Sequence, residues 1–472
     1  MLFNSYRFLL VFLPLVLAAF WLLRANTLAR RVALLVACFI FYGAASLNYL
    51  ALLLAAITYL AARYLIAGSQ PRRRIGLVLG LSSLLVLIFF KHAGLLESSL
   101  NGLGTRVGLA AVVPGLDMAL PLGISFYTFN LISYTLDVYR DRIPPAHAPL
   151  TFFSYVSFFP TITSGPLIQY GPYREQYDSA IGQERPQSDQ IELGLFGLIM
   201  GLAKKLIVAD YLAAAIDPLL ADYGQLNFWS AWLAVLGYTY QLYFDFSGYT
   251  DMAIGIGHLF GFRLPQNFNA PYTAQNITEF WQRWHITLST WFRAYLFFPL
   301  SRALLKRYPR LGPDRVRALS LVLTMTLIGW WHGASWVFLA WGAYHGVLLA
   351  LHAQVRMYRW PLGPAWLGRA ATFFAVVMGW VLFRSDSVAM ARSIYAALFG
   401  FHGFDWSVLG VPPLHWETVV FVGILFVLTN LPRDTWTLRP RAGWAFTAGM
   451  ALLLIISLLM LGDPKAFLYF QF

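Results

Sequence analysis

Two histidines stand among tryptophans in this chain: His285 in Phe280-Trp281-Gln282-Arg283-Trp284-His285, and His332 in Trp330-Trp331-His332-Gly333. No Asp, Glu, Lys or Arg occurs from Ala318 to Ala353, so His332 sits in a long uncharged stretch. An ionisable group inside an apolar membrane segment is costly, and by default it marks function. Burial disfavours the imidazolium and leaves a neutral ring able to accept a proton. A well-placed general base contributes about 10²–10⁴-fold to a rate. His332 is therefore read as the catalytic base; for His285 a catalytic and a structural role both stand. His92, His147, His402 and His415 lie in polar or loop surroundings, and His258, His345 and His352 are read as packing residues.

A second group of polar residues lies in Tyr240-Gln241-Leu242-Tyr243-Phe244-Asp245-Phe246-Ser247-Gly248-Tyr249-Thr250-Asp251. Asp245 and Asp251 do not share a helix face. Hydrogen bonding to neighbouring helices or to the loop at Asn267 explains them better than a carboxylate dyad. Arg283 and Arg293 suit neutralising these acids or meeting an anionic donor. Asn267, Gln282 and Trp331 are the side chains that could donate to a developing oxyanion. With His332 and His285 as catalytic candidates, the substrate-binding set is Trp331, Asn267, Gln282, Arg283, Trp284, Asp245 and Asp251. There is no phosphate loop, dinucleotide fingerprint, nucleophile elbow or paired His–Glu zinc helix. No metal site and no bound cofactor are expected, and Cys38 is the lone cysteine.

The elements that must hold these groups are membrane helices. Of the 472 residues 59% are hydrophobic and only 12% charged, about half the charge of a soluble domain. Aromatics at 17% fit long interfacial belts. The net charge of +13 sits in short loops between apolar runs, which is the mark of topology selection and not of nucleic-acid binding. Apolar runs at 5–23, 32–47, 49–66, 75–91, 120–138, 192–218, 228–259, 318–333, 335–353, 369–383, 417–430 and 443–462 predict an all-α polytopic membrane protein. About ten to thirteen membrane helices are expected, since a span needs about 20 apolar residues. The first run is read as an uncleaved span. The whole chain, 1–472, is read as one integral-membrane domain: N-terminal helices in 1–150, a catalytic region in 151–355 and C-terminal helices in 356–472. Arg24, Arg30 and Arg31, with the basic loops at Arg72–Arg74, Arg302–Arg317 and Arg433–Arg441, are assigned to the cytoplasm. Stretches 151–178 and 261–300 mix Pro, Gly and Asn with aromatics and predict re-entrant cavity wall. For 151–178 a loop lying flat on the bilayer is the alternative.

At these residues the sequence resembles the membrane-bound O-acyltransferase superfamily, in its alginate O-acetyltransferase branch. The likeness is carried by Met1–Ser5, Phe159-Pro160 with Gly165-Pro166, Tyr243–Ala253, Asn267-Phe268, Pro271-Tyr272, Phe280–Ser289, Trp331-His332-Gly333 and the ending Phe467–Phe472. The resemblance implies a tunnel-enclosing fold with His332 as the catalytic histidine and His285 as the second family histidine. It implies an acyl donor on the cytoplasmic side, acetyl-CoA or another acetyl thioester, and an acceptor outside. It also implies residence in a bacterial inner membrane and exopolysaccharide as final acceptor. A periplasmic SGNH-type partner acetyltransferase with a Ser–His–Asp site is expected to finish delivery. Arg293-Ala294-Tyr295 departs from the family's Arg-Asp-Tyr. The alternatives are D-alanyl transfer to teichoic acid and, from another class, a polysaccharide or lipid-linked sugar transporter.

Overall fold

The computed structural model describes residues 1–44, 50–107, 120–358, 363–406, 416–438, 440, 443–462, 465 and 467–468. Parts of the runs named above, with His415, Arg439, Arg441 and the ending 469–472, lie outside them. Among the described residues the regular structure is helical, without strands. The first helices are α1 (Leu13–Leu22), α2 (Thr27–Gly43), α3 (Leu50–Leu60), α4 (Gln70–Gly80), α5 (Ser82–Arg106), α6 (Ile124–Tyr139) and α7 (Pro149–Ser157). Next come α8 (Tyr170–Gly182), α9 (Ser188–Ala203), α10 (Asp210–Ala221), α11 (Phe228–Leu259), α12 (Ile277–Arg283), α13 (Ile286–Phe292) and α14 (Phe298–Arg307). The last are α15 (Gly312–His332), α16 (Trp336–Met357), α17 (Ala365–Arg384), α18 (Val388–Leu398), α19 (Trp416–Thr429) and α20 (Trp444–Leu459). By length and composition, Arg7–Ala25, Gln70–Arg106, Trp336–Met357 and Ala365–Arg384 are long and apolar enough to cross a membrane.

The chain forms two compact units. The first holds Met1–Leu202, Tyr249–Pro265 and Arg439–Gln471. Its core is aromatic: the Phe159 ring lies 5.5 Å from both Phe12 and Phe41. Phe158 and Phe159 are fully buried, and Thr161–Ser164 nearly so. Residues 154–166 are therefore interior to this unit, whereas Arg174, Glu175 and Asp178 of α8 are exposed. Arg30 is buried too, its guanidinium 3.9 Å from the Phe20 ring and donating to the carbonyls of Ile181 and Gln183. A buried cation is tolerated only when paired or hydrogen-bonded, and here it ties α2 to the end of α8.

The second unit holds Ala203–Gly248 and Gln266–Leu438. Its central feature is the close pair α15 and α16. Glycine at 329 and 342 permits that approach: a Cβ on Gly329 would lie 2.2 Å from the Phe338 carbonyl oxygen, and one on Gly342 2.3 Å from that of Met325. Small residues at such contacts let helix backbones meet. Helix α15 ends at His332 because Gly333 is extended, and Ser335 then caps α16 by accepting from the Phe338 N–H at 3.4 Å. Gly342→Val should force the pair apart and cost about 1–3 kcal/mol, as overpacking does. A thermal-melt comparison in detergent checks this; an unchanged midpoint would contradict it.

Candidate active site

His332 is the last residue of α15 and is 5% exposed. Its ring centroid lies 4.6 Å from Trp331, 5.1 Å from Trp341 and 5.2 Å from Phe383. Three helices thus converge on it: α15 carries it, α16 supplies Trp341 and α17 supplies Phe383. Trp341 and Phe383 gave no sign in the sequence beyond being aromatic, since only the fold brings them here.

His285 occupies the break between α12 and α13, with φ at +43°. A non-glycine residue there is strained unless its surroundings hold it. Three hydrogen bonds accepted by one loop residue do so: Ile286 N–H donates to the Asn267 carbonyl at 3.0 Å, and the Thr287 N–H and hydroxyl donate to Asn267 Oδ1 at 3.3 and 2.6 Å. The imidazole is 2% exposed and stands edge-on to Phe246 at 4.7 Å. Asn267 thus has its carbonyl side committed to backbone support, while its buried Nδ2 donor has no acceptor among the described residues.

The remaining candidates separate by surroundings. Trp284 is packed against Trp380, Phe268 and Phe280 at 4.9, 5.0 and 5.7 Å. Arg283 pairs with Glu279 at 2.7 Å and reaches the Asn269 carbonyl and the Thr273 hydroxyl. It braces the loop and does not neutralise Asp245. That task falls to Lys205, whose Nζ lies 2.6 Å from Asp245 and 3.0 Å from Asp210. Asp245 is in the second unit and Asp251, also buried, in the first. Lys204 and Lys205 went unnoticed in the sequence although they interrupt the apolar run 192–218, which is the signal an intramembrane charge gives.

Gln282 and Arg293 line a cavity of about 780 Å³. Its wall is largely apolar, built from α12, α13, α14 and α15 as far as Ile328, and carries the guanidinium groups of Arg293, Arg302 and Arg317. Phe292 lines it as well, and the Phe292 ring is 6.2 Å from Trp331, the neighbour of His332. His332 itself is not among the lining residues. Within 261–300 the cavity is walled by the helical part, Thr278–Phe298, and not by the irregular segment Pro265–Pro271. Beside it a more polar cavity of about 350 Å³ is lined by Asp314, Arg317, His352, Gln354 and Arg356, and the two share Thr278 and Arg317. An imidazole buried among aromatic rings, and beside it a chamber carrying guanidinium groups, suit transfer chemistry in which water is kept from the reacting group.

Known proteins agree. A family model described as "MBOAT, membrane-bound O-acyltransferase family" matches residues 140–394. The chain is 39% identical over 421 residues to the "Probable alginate O-acetylase AlgI" of Azotobacter vinelandii, covering 86% of this chain and 79% of that protein. It is 32% identical to the "Peptidoglycan O-acetyltransferase" of Helicobacter pylori, covering 100% of this chain and 98% of that one. Similarity to the "Teichoic acid D-alanyltransferase" of Bacillus subtilis is 30% over 270 residues, or 56% of this chain and 68% of the relative. A transporter needs no such kinship, and that reading falls away. This chain belongs to the membrane-bound O-acyltransferase family: it is a multi-pass membrane protein and an O-acyltransferase.

Proposed function

We propose that this protein moves an acetyl group from a cytoplasmic thioester to an extracytoplasmic hydroxyl, for O-acetylation of an exopolysaccharide at a bacterial inner membrane. The observation that carries the reading is His332, sealed by Trp331, Trp341 and Phe383 at the end of the helix whose earlier turns wall the 780 Å³ cavity. In the step proposed, the acceptor oxygen attacks the thioester carbonyl carbon. A C–O bond forms, the C–S bond breaks, and His332 takes the hydroxyl proton and returns it to the departing thiolate. Gln282, on the cavity wall, and the Asn267 Nδ2 donor are the groups suited to the oxyanion. The relatives named for alginate and peptidoglycan acetylation support an acetyl group and a polymer acceptor. A periplasmic SGNH-type acetyltransferase partner fits a chain that delivers the acetyl group to the outer face.

Acetyl-CoA suits the paired cavities: an apolar chamber for the thioester arm, and beside it a polar one in which Arg317 and Arg356 meet phosphate. Arg317→Ala should raise the donor KM about tenfold, the worth of one charge-assisted hydrogen bond, with kcat within about twofold. An unchanged KM for acetyl-CoA would argue for a donor without phosphates at that position. The function itself is tested by measuring polymer export and polymer O-acetylation separately in cells carrying His332→Ala. Acetyl content should vanish while export continues. Loss of D-alanine esters in its place would favour the teichoic acid reading.

A further inference from the structure

Among the described residues, three non-glycine residues have positive φ, and two of them, Ala270 at +42° and His285 at +43°, bracket one loop system. Such positions persist where the surroundings over-determine them. The Asn267 end of the loop holds the His285 break through Ile286 and Thr287, and the Asn269 N–H donates to the Arg283 carbonyl at 3.0 Å. The Ala270 end is held by a residue far along the chain. Asp434, 7% exposed, accepts the Ala270 N–H through Oδ2 at 3.0 Å, and the Tyr243 hydroxyl donates to the same oxygen at 3.4 Å. Its Oδ1 accepts from the Thr435 N–H at 2.6 Å and lies 3.6 Å from Lys204 Nζ. The Thr437 hydroxyl in turn accepts from the Asp434 N–H, closing a capping box that fixes the carboxylate.

We infer that Asp434, braced by Lys204, is a positioning residue for His285, acting through the Ala270–Asn267 loop. Both carboxylate oxygens are engaged, so the carboxylate is fixed from the far side of the contact, and a loop that relaxed would leave the buried Ala270 N–H without its acceptor. Misplacement of a reacting group by about 1 Å can cost 10²-fold in rate. The proposal rests on the reading that His285 belongs to the site, and the test separates the two.

Full-length protein in nanodiscs carries Asp434→Ala or Asp434→Asn, each with His285 intact and with His285→Ala. Hydrogen exchange reports the loop directly. In Asp434→Ala, amides of 267–287 should exchange at least about tenfold faster while those of α15 and α16 hold. Acetyl transfer should lose about tenfold or more in kcat with donor KM little changed, and Asp434→Asn, which keeps an oxygen for the Ala270 N–H, should recover part. In the His285→Ala background the further loss should be under about twofold, since coupled residues are not additive. Equal losses in both backgrounds, or unchanged exchange over 267–287, overturn the proposal. Full activity of His285→Ala overturns the reading of His285 as a site residue, whatever the exchange data say of the loop.

Discussion

His332→Ala is expected to lower acetyl transfer by about 10²–10⁴-fold, the contribution of a positioned general base. The loss should fall on kcat and on kcat/KM alike, because the proton is accepted only as the C–O bond forms. Donor binding should survive, since the cavity that would hold it is walled by other residues of α13, α14 and α15. His332→Phe separates chemistry from packing: it keeps a ring against Trp331, Trp341 and Phe383 and removes both nitrogens. It should match the alanine variant in rate and exceed it in stability. Steady-state transfer by purified protein, with a detergent melt beside it, checks both. Substantial transfer by either variant removes His332 from the reaction.

Lys205→Met carries the largest expected effect on stability. Lys205 and Asp245 are 2% and 3% exposed at the side chain, and the same ammonium serves Asp210. Removing one member of a buried pair leaves an uncompensated charge and costs about 3–5 kcal/mol. The double variant Lys205→Met/Asp245→Leu should regain much of that, because apolar replacement of a whole buried pair is often neutral. Unfolding midpoints of the single and double variants decide it. A single variant as stable as the parent would mean that Asp245 finds water or another cation.

The fold class was legible because the apolar runs are long and the charges few, and the burial of His332 among aromatic rings was legible because it stands in an uncharged stretch beside tryptophan. The buried place of His285 and a cavity wall within 261–300 followed from the same logic, though the wall is built by the helical residues from Thr278 on and not by the irregular segment before them. What could not be read were partners brought in from distant sequence. Trp341 and Phe383 reach His332 only through the packing of α16 and α17. Asp245 was given several possible mates, yet its partner is Lys205 from a π-helical turn, Lys204–Ala209. Asp434 sits in a short polar segment with nothing to mark its tie to Ala270, 164 residues earlier. The α15–α16 contact depends on Gly329 and Gly342, whose spacing alone fixes neither partner nor depth. Pairwise geometry across long separations is a property of the folded chain, and local pattern carries little of it.

Sidedness is the direct test of the central claim. Sealed inverted membrane vesicles expose the cytoplasmic face, and acetyl-labelled thioester is added outside. Label should appear as an ester protected within the lumen, and vesicles carrying His332→Ala should leave it in the donor. Luminal ester that forms equally well in the His332→Ala vesicles, or label that stays entirely on the outer face of the intact ones, would contradict acyl transfer across the membrane at His332.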